Sequence, residues 1–363
     1  MRSHGGIELP PQPDELFSSW LSRIALTLGC DSLTLTGNIW PRWRVWMLDS
    51  DRGLPPGRAA ELSNVLNIPE NAYKDTWLYP IIAATTTLPL PKYSTWPWLL
   101  ALGSRNRKRH GGLSYCPVCL AQDKSPYYRR SWRLAWHTVC EKHACLLRDA
   151  CPHCSAPLEP HRLSISDKDL TTCARCKGDL KKSPSIEPPA NALSFQTTAD
   201  RYVLLNDCIY GTYPASSKEW FALARRFHVL LRIGSLGKSA GLNSLFKVSG
   251  IEPSSLSPTA TGLHLELLPV AERAKFLGNT WLLLKAGPDA LLHALRYDGI
   301  PIKALNDLQL VLPASLKRAT GESTRSIRQR KRRFSKPGLK PRSLLTVSRM
   351  MARLQRKMIV DSQ

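Results

Sequence analysis

The chain has 363 residues, 43% of them hydrophobic, and its 51 Lys/Arg against 28 Asp/Glu leave a net charge of +23. That length calls for two or three domains rather than one core. No stretch approaches the ~18 consecutive apolar residues of a membrane span, and the polar, Pro-rich Met1–Pro13 lacks the apolar core of a signal peptide, so no membrane contact and a cytoplasmic location are expected.

Pro13-Asp14-Glu15 reads as a capping start for a first helix. Leu16, Phe17, Trp20, Leu21, Ile24 and Leu28 trace one face at helical spacing, and Gly29 is a natural stop. A Trp-rich stretch follows, in which Trp40, Trp43 and Trp46 alternate with arginines. Such rings can stack on bases, but core or partner-facing roles suit them better, and they are the candidate partner-binding residues. Pro55-Pro56-Gly57 opens a helix with Ala59, Leu62, Val65 and Leu66 inside. After Asn67-Ile68-Pro69 a second helix is expected through Tyr73, Trp77 and Leu78, together resembling a helix-turn-helix. Pro80–Pro97 reads as an extended connector, and Arg105–His110 as a basic hinge.

The middle of the chain carries metal chemistry. Cys116-x2-Cys119 is followed after 20 residues by Cys140-x2-His143, and Cys151-x2-Cys154 after 18 residues by Cys173-x2-Cys176. Two residues between ligands let one tight turn aim both side chains at one ion, and the spacer brings a second turn to close the tetrahedron. Two zinc ions per chain are expected. Disulfides or buried thiols are the alternative, disfavoured in a reducing compartment. His137 and Cys145 lie near the first quartet, but His143 completes the same two-residue turn. Cys30 and Cys208 read as core residues, His153 and His161 as spacer and surface.

Lys177–Pro189 is polar and reads as a linker. Helices are expected over Ala199–Tyr210 and after the capping box Ser216–Glu219, where Trp220, Phe221, Leu223, Phe227, Leu230 and Leu231 face inward. Ser235–Pro258 is Gly/Ser-rich. Val270, Ala274, Leu277, Trp281 and Leu284 mark a further amphipathic helix, broken by Gly287-Pro288 before a partner helix over Asp289–Tyr297. Gly234–Ser239 imitates a phosphate-binding loop, but Arg232 stands where that motif needs its first glycine. No constellation of catalytic side chains is evident, so no enzyme is expected. Residues 315–363 hold 15 Lys/Arg against two acids. Arg325, Arg328, Arg330, Lys331, Arg332 and Arg333 are candidate nucleic-acid contacts, and Leu344, Val347, Met351, Leu354 and Met358 follow as the seam of a docking helix.

The run Tyr115-Cys-Pro-Val-Cys119-Leu120, Trp132-x-Leu134, Val139-Cys140-x-x-His143, Leu146-Leu147 and Cys151-Pro152-x-Cys154 resembles the TniQ/TnsD family of transposon target-selection proteins. The opening Pro13-Asp-Glu15-Leu16-Phe-Ser-Ser19-Trp-Leu21-Ser-Arg23 also fits, and the resemblance covers roughly residues 9–180. It implies a non-enzymatic adaptor of a heteromeric bacterial transposon, linking target DNA or an RNA-guided CRISPR effector to an AAA+ ATPase regulator and the transposase. An ordinary zinc-containing DNA-binding transcriptional regulator is the alternative, and a homodimer stays open. The expected fold is mainly α. A helical domain with the helix-turn-helix would span 9–100, a tandem zinc-knuckle module 110–180, a helical C-terminal domain 190–314, and a basic tail with a terminal docking helix 315–363.

Overall fold

The computed structural model describes residues 9–102, 112–235, 240–256, 264–297 and 311–319. It is mainly helical, and its strands, among the described residues, form two short hairpins. The chain up to Lys317 forms one compact unit.

Helix α1 (Phe17–Thr27) starts at Leu16 without a side-chain cap. Asp14 and Glu15 do not cap it, because both are spent on other side chains, Asp14 on distant ones and Glu15 on α1 itself. Asp14 accepts from the Ser131 hydroxyl (2.7 Å) and from Arg130 Nε (3.1 Å), and Glu15 accepts from Arg23 Nη2 (2.6 Å). Gly29, with φ +70°, ends the helix as its position implies. Helix α2 (Ser32–Ile39) has no obvious periodicity and weak helix formers. Asp31 nucleates it by accepting from the Thr34 N–H at 2.7 Å, and Leu35 and Ile39 bury its inner side.

Helix α3 (Pro56–Leu66) ends on Asn67 in the left-handed region. Ala59 and Leu62 are buried there, whereas Val65 is exposed. The expected second helix through Tyr73 and Trp77 is instead two single 3-10 turns, Glu70–Ala72 and Lys74–Thr76. The Leu78 N–H is then taken by the Asp51 carbonyl at 2.8 Å, a tertiary bond that replaces helical continuation. A short helix α4 (Tyr79–Ala83) opens the proline-rich connector.

The cysteine-rich region contributes α5 (Pro117–Gln122) and the hairpin β1 (Val139–Cys140) with β2 (Cys145–Leu146). Residues 177–189 pack against it rather than running free. The Leu146 N–H donates to the Ile186 carbonyl at 2.8 Å, and Ser183 and the Tyr115 hydroxyl are 2.6 Å apart, so this strap crosses back over the hairpin.

Helix α6 (Ala192–Leu205) stops at Asn206, earlier than expected, in the left-handed conformation. Residues 208–210 are a strand, β3 (Cys208–Tyr210), paired with β4 (Tyr213–Ala215). Along β3 the side chains of Cys208, Ile209 and Tyr210 are buried, exposed and buried in turn. Helix α7 (Ser217–Gly234) carries both reciprocal bonds of the Ser216/Glu219 capping box, and its six expected core residues are all buried. The Gly/Ser-rich stretch contains α8 (Ala240–Val248), whose Leu242, Leu245 and Phe246 fill the core at helical spacing. Helix α9 (Val270–Tyr297) kinks at Gly287, where φ is +80° before Pro288. The Tyr210 hydroxyl caps the freed Gly287 carbonyl at 2.9 Å.

One apolar core joins Leu16, Trp98, Tyr115 and Trp136 to Phe221 and Leu277, and a second, smaller one fills the space between α1, α2 and α3. Polar ties reinforce the first. Gln196 on α6 accepts from the Thr138 and Val139 N–H groups, Asp200 accepts from Trp136 Nε1 at 2.7 Å, and Arg273 donates to the Ala135 carbonyl at 2.8 Å.

Candidate metal centres and the aromatic surface

Backbone geometry builds each ligand turn. Tyr115 and Arg148 exchange backbone hydrogen bonds of 2.8 Å, which hold Cys116 in extended conformation at the start of α5. Pro117 then occupies the first helical position, and one turn brings Cys119 beside Cys116, whose sulfur accepts the Cys119 N–H. The other three turns share a different device. Ala144, Ser155 and Lys177 follow the second ligand directly and have φ of 46°, 55° and 59°. That left-handed residue reverses the chain, closing Cys140 onto Cys145, Cys151 onto Ala156 and Cys173 onto Gly178.

Cys116, Cys119, Cys140 and His143 come together as one quartet, and Cys151, Cys154, Cys173 and Cys176 as another, with all ligand atoms of a quartet within 4.8 Å. Four sulfurs at ~2.3 Å from a tetrahedral zinc would lie about 3.8 Å apart. The Cys119–Cys140 and Cys151–Cys176 sulfur pairs are 3.6 Å apart and Cys154–Cys173 3.8 Å. His143 Nδ1 lies 3.3–3.4 Å from the sulfurs of Cys116, Cys119 and Cys140. A disulfide needs about 2.0 Å between sulfurs, and all ten cysteines are free. The donor chemistry and spacing therefore fit two zinc ions, the first held by three thiolates and an imidazole, the second by four thiolates.

The neighbours of the quartets sort themselves. His137 Nε2 pairs with Asp200 at 2.8 Å and faces away from the metal site. The Cys145 sulfur lies 3.7 Å from that of Cys116, yet it stands outside the quartet. Gln122 was not visible from the spacing. Its Oε1 accepts from His143 Nε2 at 2.9 Å, which fixes the imidazole with Nδ1 unprotonated toward the three sulfurs. Only its place three residues after Cys119 on the same helix could have signalled it. Burial differs between the centres. Three ligands of the first are buried and His143 is partly so, while Cys176 of the second is exposed and Cys154 half-buried. The Gly178 N–H bonds to the Cys176 sulfur and draws its thiol down to about 7. A Cβ on Gly178 would sit 2.4 Å from the His153 ring, so this turn has no room for a side chain.

Ionic contacts bind the first centre's region to the N-terminal helices. Arg133 is fully buried and donates to Asp51 (2.5 Å), Asp49 (2.9 Å) and the Leu100 carbonyl (2.9 Å). Asp51 in turn accepts from the Ser18 N–H at 2.7 Å. The Tyr128 N–H donates to Ser19 on α1 at 2.9 Å.

The three tryptophans part company. Trp40 is 1% exposed, donates to the Arg58 carbonyl at 3.1 Å and meets Trp43 edge-on at 5.1 Å, so it is a core side chain and not a partner contact. Trp43 and Trp46 are partly exposed. The basic residues Arg325, Arg328, Arg330, Lys331, Arg332 and Arg333 and the terminal seam lie outside the described residues. No helix among the described residues is long and apolar enough to cross a membrane.

No curated protein matches the chain. The family model TniQ matches residues 7–147. The matched span contains α1 to α5 and the complete first quartet, and ends before Cys151. It supports a role in transposon target selection in general terms. Over residues 7–147, then, the chain is similar to the TniQ family.

Proposed function

We propose that the chain is a non-enzymatic adaptor that selects the insertion site of a heteromeric bacterial transposon in the cytoplasm. On this reading it links target DNA, or an RNA-guided CRISPR effector complex standing on that DNA, to the AAA+ ATPase regulator and through it to the transposase. One observation carries the reading: the TniQ match runs over a segment whose N-terminal part is fastened to the chain between the ligands of the first metal quartet by the buried Arg133–Asp51 ion pair and the Tyr128–Ser19 hydrogen bond. Each quartet would hold one ion between two turns with four protein ligands, the donor set of a structural zinc site. Trp43 and Trp46 are the proposed ATPase-facing residues. The basic tail, with Arg325 to Arg333, would neutralise phosphates and add affinity without sequence preference. Removing residues 324–363 should weaken duplex binding for all sequences alike.

The test is reconstitution. Purified chain should retain the AAA+ ATPase encoded with the same transposon, and its omission should abolish targeted insertion in cells. Retention of no ATPase, with insertion unchanged, sinks the adaptor reading. The net charge of +23 and the solvent-open second centre favour a zinc-containing transcriptional regulator as the second reading. Repression of its own promoter without any transposase dependence would establish that instead.

A further inference from the structure

Trp43 lines two clefts at once. One, of 610 Å³, lies against α2, and the other, of 420 Å³, lies against the Pro55 and Trp96 segments. Their charges are one-sided. Arg42 and Arg44 line the first cleft, which has no carboxylate. Arg52 and Lys92 line the second, whose sole carboxylate, Asp49, is already held by Arg52 at 3.1 Å and Arg133 at 2.9 Å. Large apolar side chains stand open beside these cations: Met47 is 78% exposed, Leu33 61% and Tyr79 53%.

The aromatic rings are fixed in advance. Trp46 Nε1 donates to the Thr36 hydroxyl at 2.9 Å, and its ring stacks on His161 at 5.0 Å. Trp43 is held edge-on by Trp40, with the Arg58 guanidinium over its ring at 5.3 Å. Exposed Trp, Met and Arg on a rigid support are the composition of an energetic hot spot in protein interfaces, and little ordering entropy is lost on binding.

We propose that the clefts flanking Trp43 take a segment of a partner protein in which carboxylates alternate with large apolar side chains. The inference rests on the adaptor reading only in naming the ATPase as one source of that segment. Charge selects the occupant. The chain's own tail cannot serve, since residues 325–342 carry nine Lys/Arg and no acid. A second copy brings net +23 to a basic surface. A nucleic-acid strand wants free ring faces, whereas His161 and Arg58 already cover one face of Trp46 and of Trp43, and Met47 and Leu33 offer none.

The experiment displays random peptides on phage against the full-length, zinc-loaded chain. The R42E/R44E variant serves as counter-selection. Both arginines are exposed, and unchanged zinc content and circular dichroism verify its fold. The expected peptides carry acids around Trp, Phe or Leu, and R42E/R44E or Met47→Asp weakens them by about tenfold or more. Selection of basic peptides, or of peptides indifferent to these variants, overturns the proposal. Displacement of the peptides by a 20-mer of dT assigns the clefts to nucleic acid and overturns it equally. The adaptor reading is judged separately. Groove variants that keep full ATPase binding sink this inference alone, and groove peptides that bind a chain with no affinity for the ATPase sink the adaptor reading alone.

Discussion

Gln122 and His143 are joined by a 2.9 Å hydrogen bond that runs from the imidazole Nε2–H to the amide oxygen. The bond decides which ring nitrogen faces the sulfurs, so metal affinity at the first centre depends on a residue that is not a ligand. Gln122→Ala should weaken zinc binding there by about 10–100-fold. His143→Ala should lower zinc content from two ions toward one, and Cys145→Ala should leave it at two. Metal analysis after dialysis against a zinc buffer reads all three. Loss of one ion in Cys145→Ala, with retention in His143→Ala, would reassign the fourth ligand.

The two centres should lose metal in order. Cys176 is exposed, whereas the first centre's three cysteines are buried. A chelator should therefore strip the second centre first, and residues 151–183 should become protease-sensitive while the region around Cys116 stays protected. Because metal binding and local folding are one equilibrium in such sites, mass-resolved zinc release should show two phases. A single phase at matched rates would contradict the burial difference.

Arg133→Ala should cost about 3–5 kcal/mol, since it leaves Asp51 buried beside Asp49 without a counter-ion. The damage should fall on the seam between the N-terminal helices and the first centre. Chemical denaturation gives the magnitude, and hydrogen exchange at Ser18 and Leu78 gives the place. A loss below about 1 kcal/mol would mean that water or a rearranged Arg52 compensates.

His228 is buried on α7 against Phe276, at 4.8 Å, and neither of its ring nitrogens has a partner. Burial, with Arg232 and Arg225 adding repulsion, pushes its pKa down to about 3. The unfolded chain, with an ordinary His near 6.5, binds the extra proton first. Stability contributed by the neutral ring is thus full above about pH 6.5 and drains away as pH falls from there toward 3. His228→Phe should flatten that slope and raise the melting temperature at pH 5, because an apolar ring of similar shape meets no desolvation cost. An unchanged pH profile in the variant would locate the acid sensitivity elsewhere.

The metal ligands were legible because a two-residue spacer has few geometric meanings, and the capping box and the Gly287-Pro288 break because each is a local device. What stayed hidden was decided at a distance. Asp14 and Glu15 look like caps, but Arg130, Ser131 and Arg23 claim them. Tyr73 and Trp77 have helical spacing, but the bond from Leu78 to Asp51 ends the chance of a helix. Helix α2 is the reverse case, since its own propensity is poor and Asp31 with the buried Leu35 and Ile39 sustains it. Trp40 and Trp43 are near neighbours in sequence, and only packing separates the core ring from the surface one.

The strap of residues 177–189 sets the length of chain that can stand alone. A polypeptide ended at residue 147 would keep every ligand of the first centre, yet the Leu146 N–H would lose Ile186 and the Thr138 and Val139 N–H groups would lose Gln196. Homology is counted along the chain, whereas self-sufficiency is counted in satisfied partners. By that count the smallest autonomous version of the TniQ region runs through the second centre and on into α6.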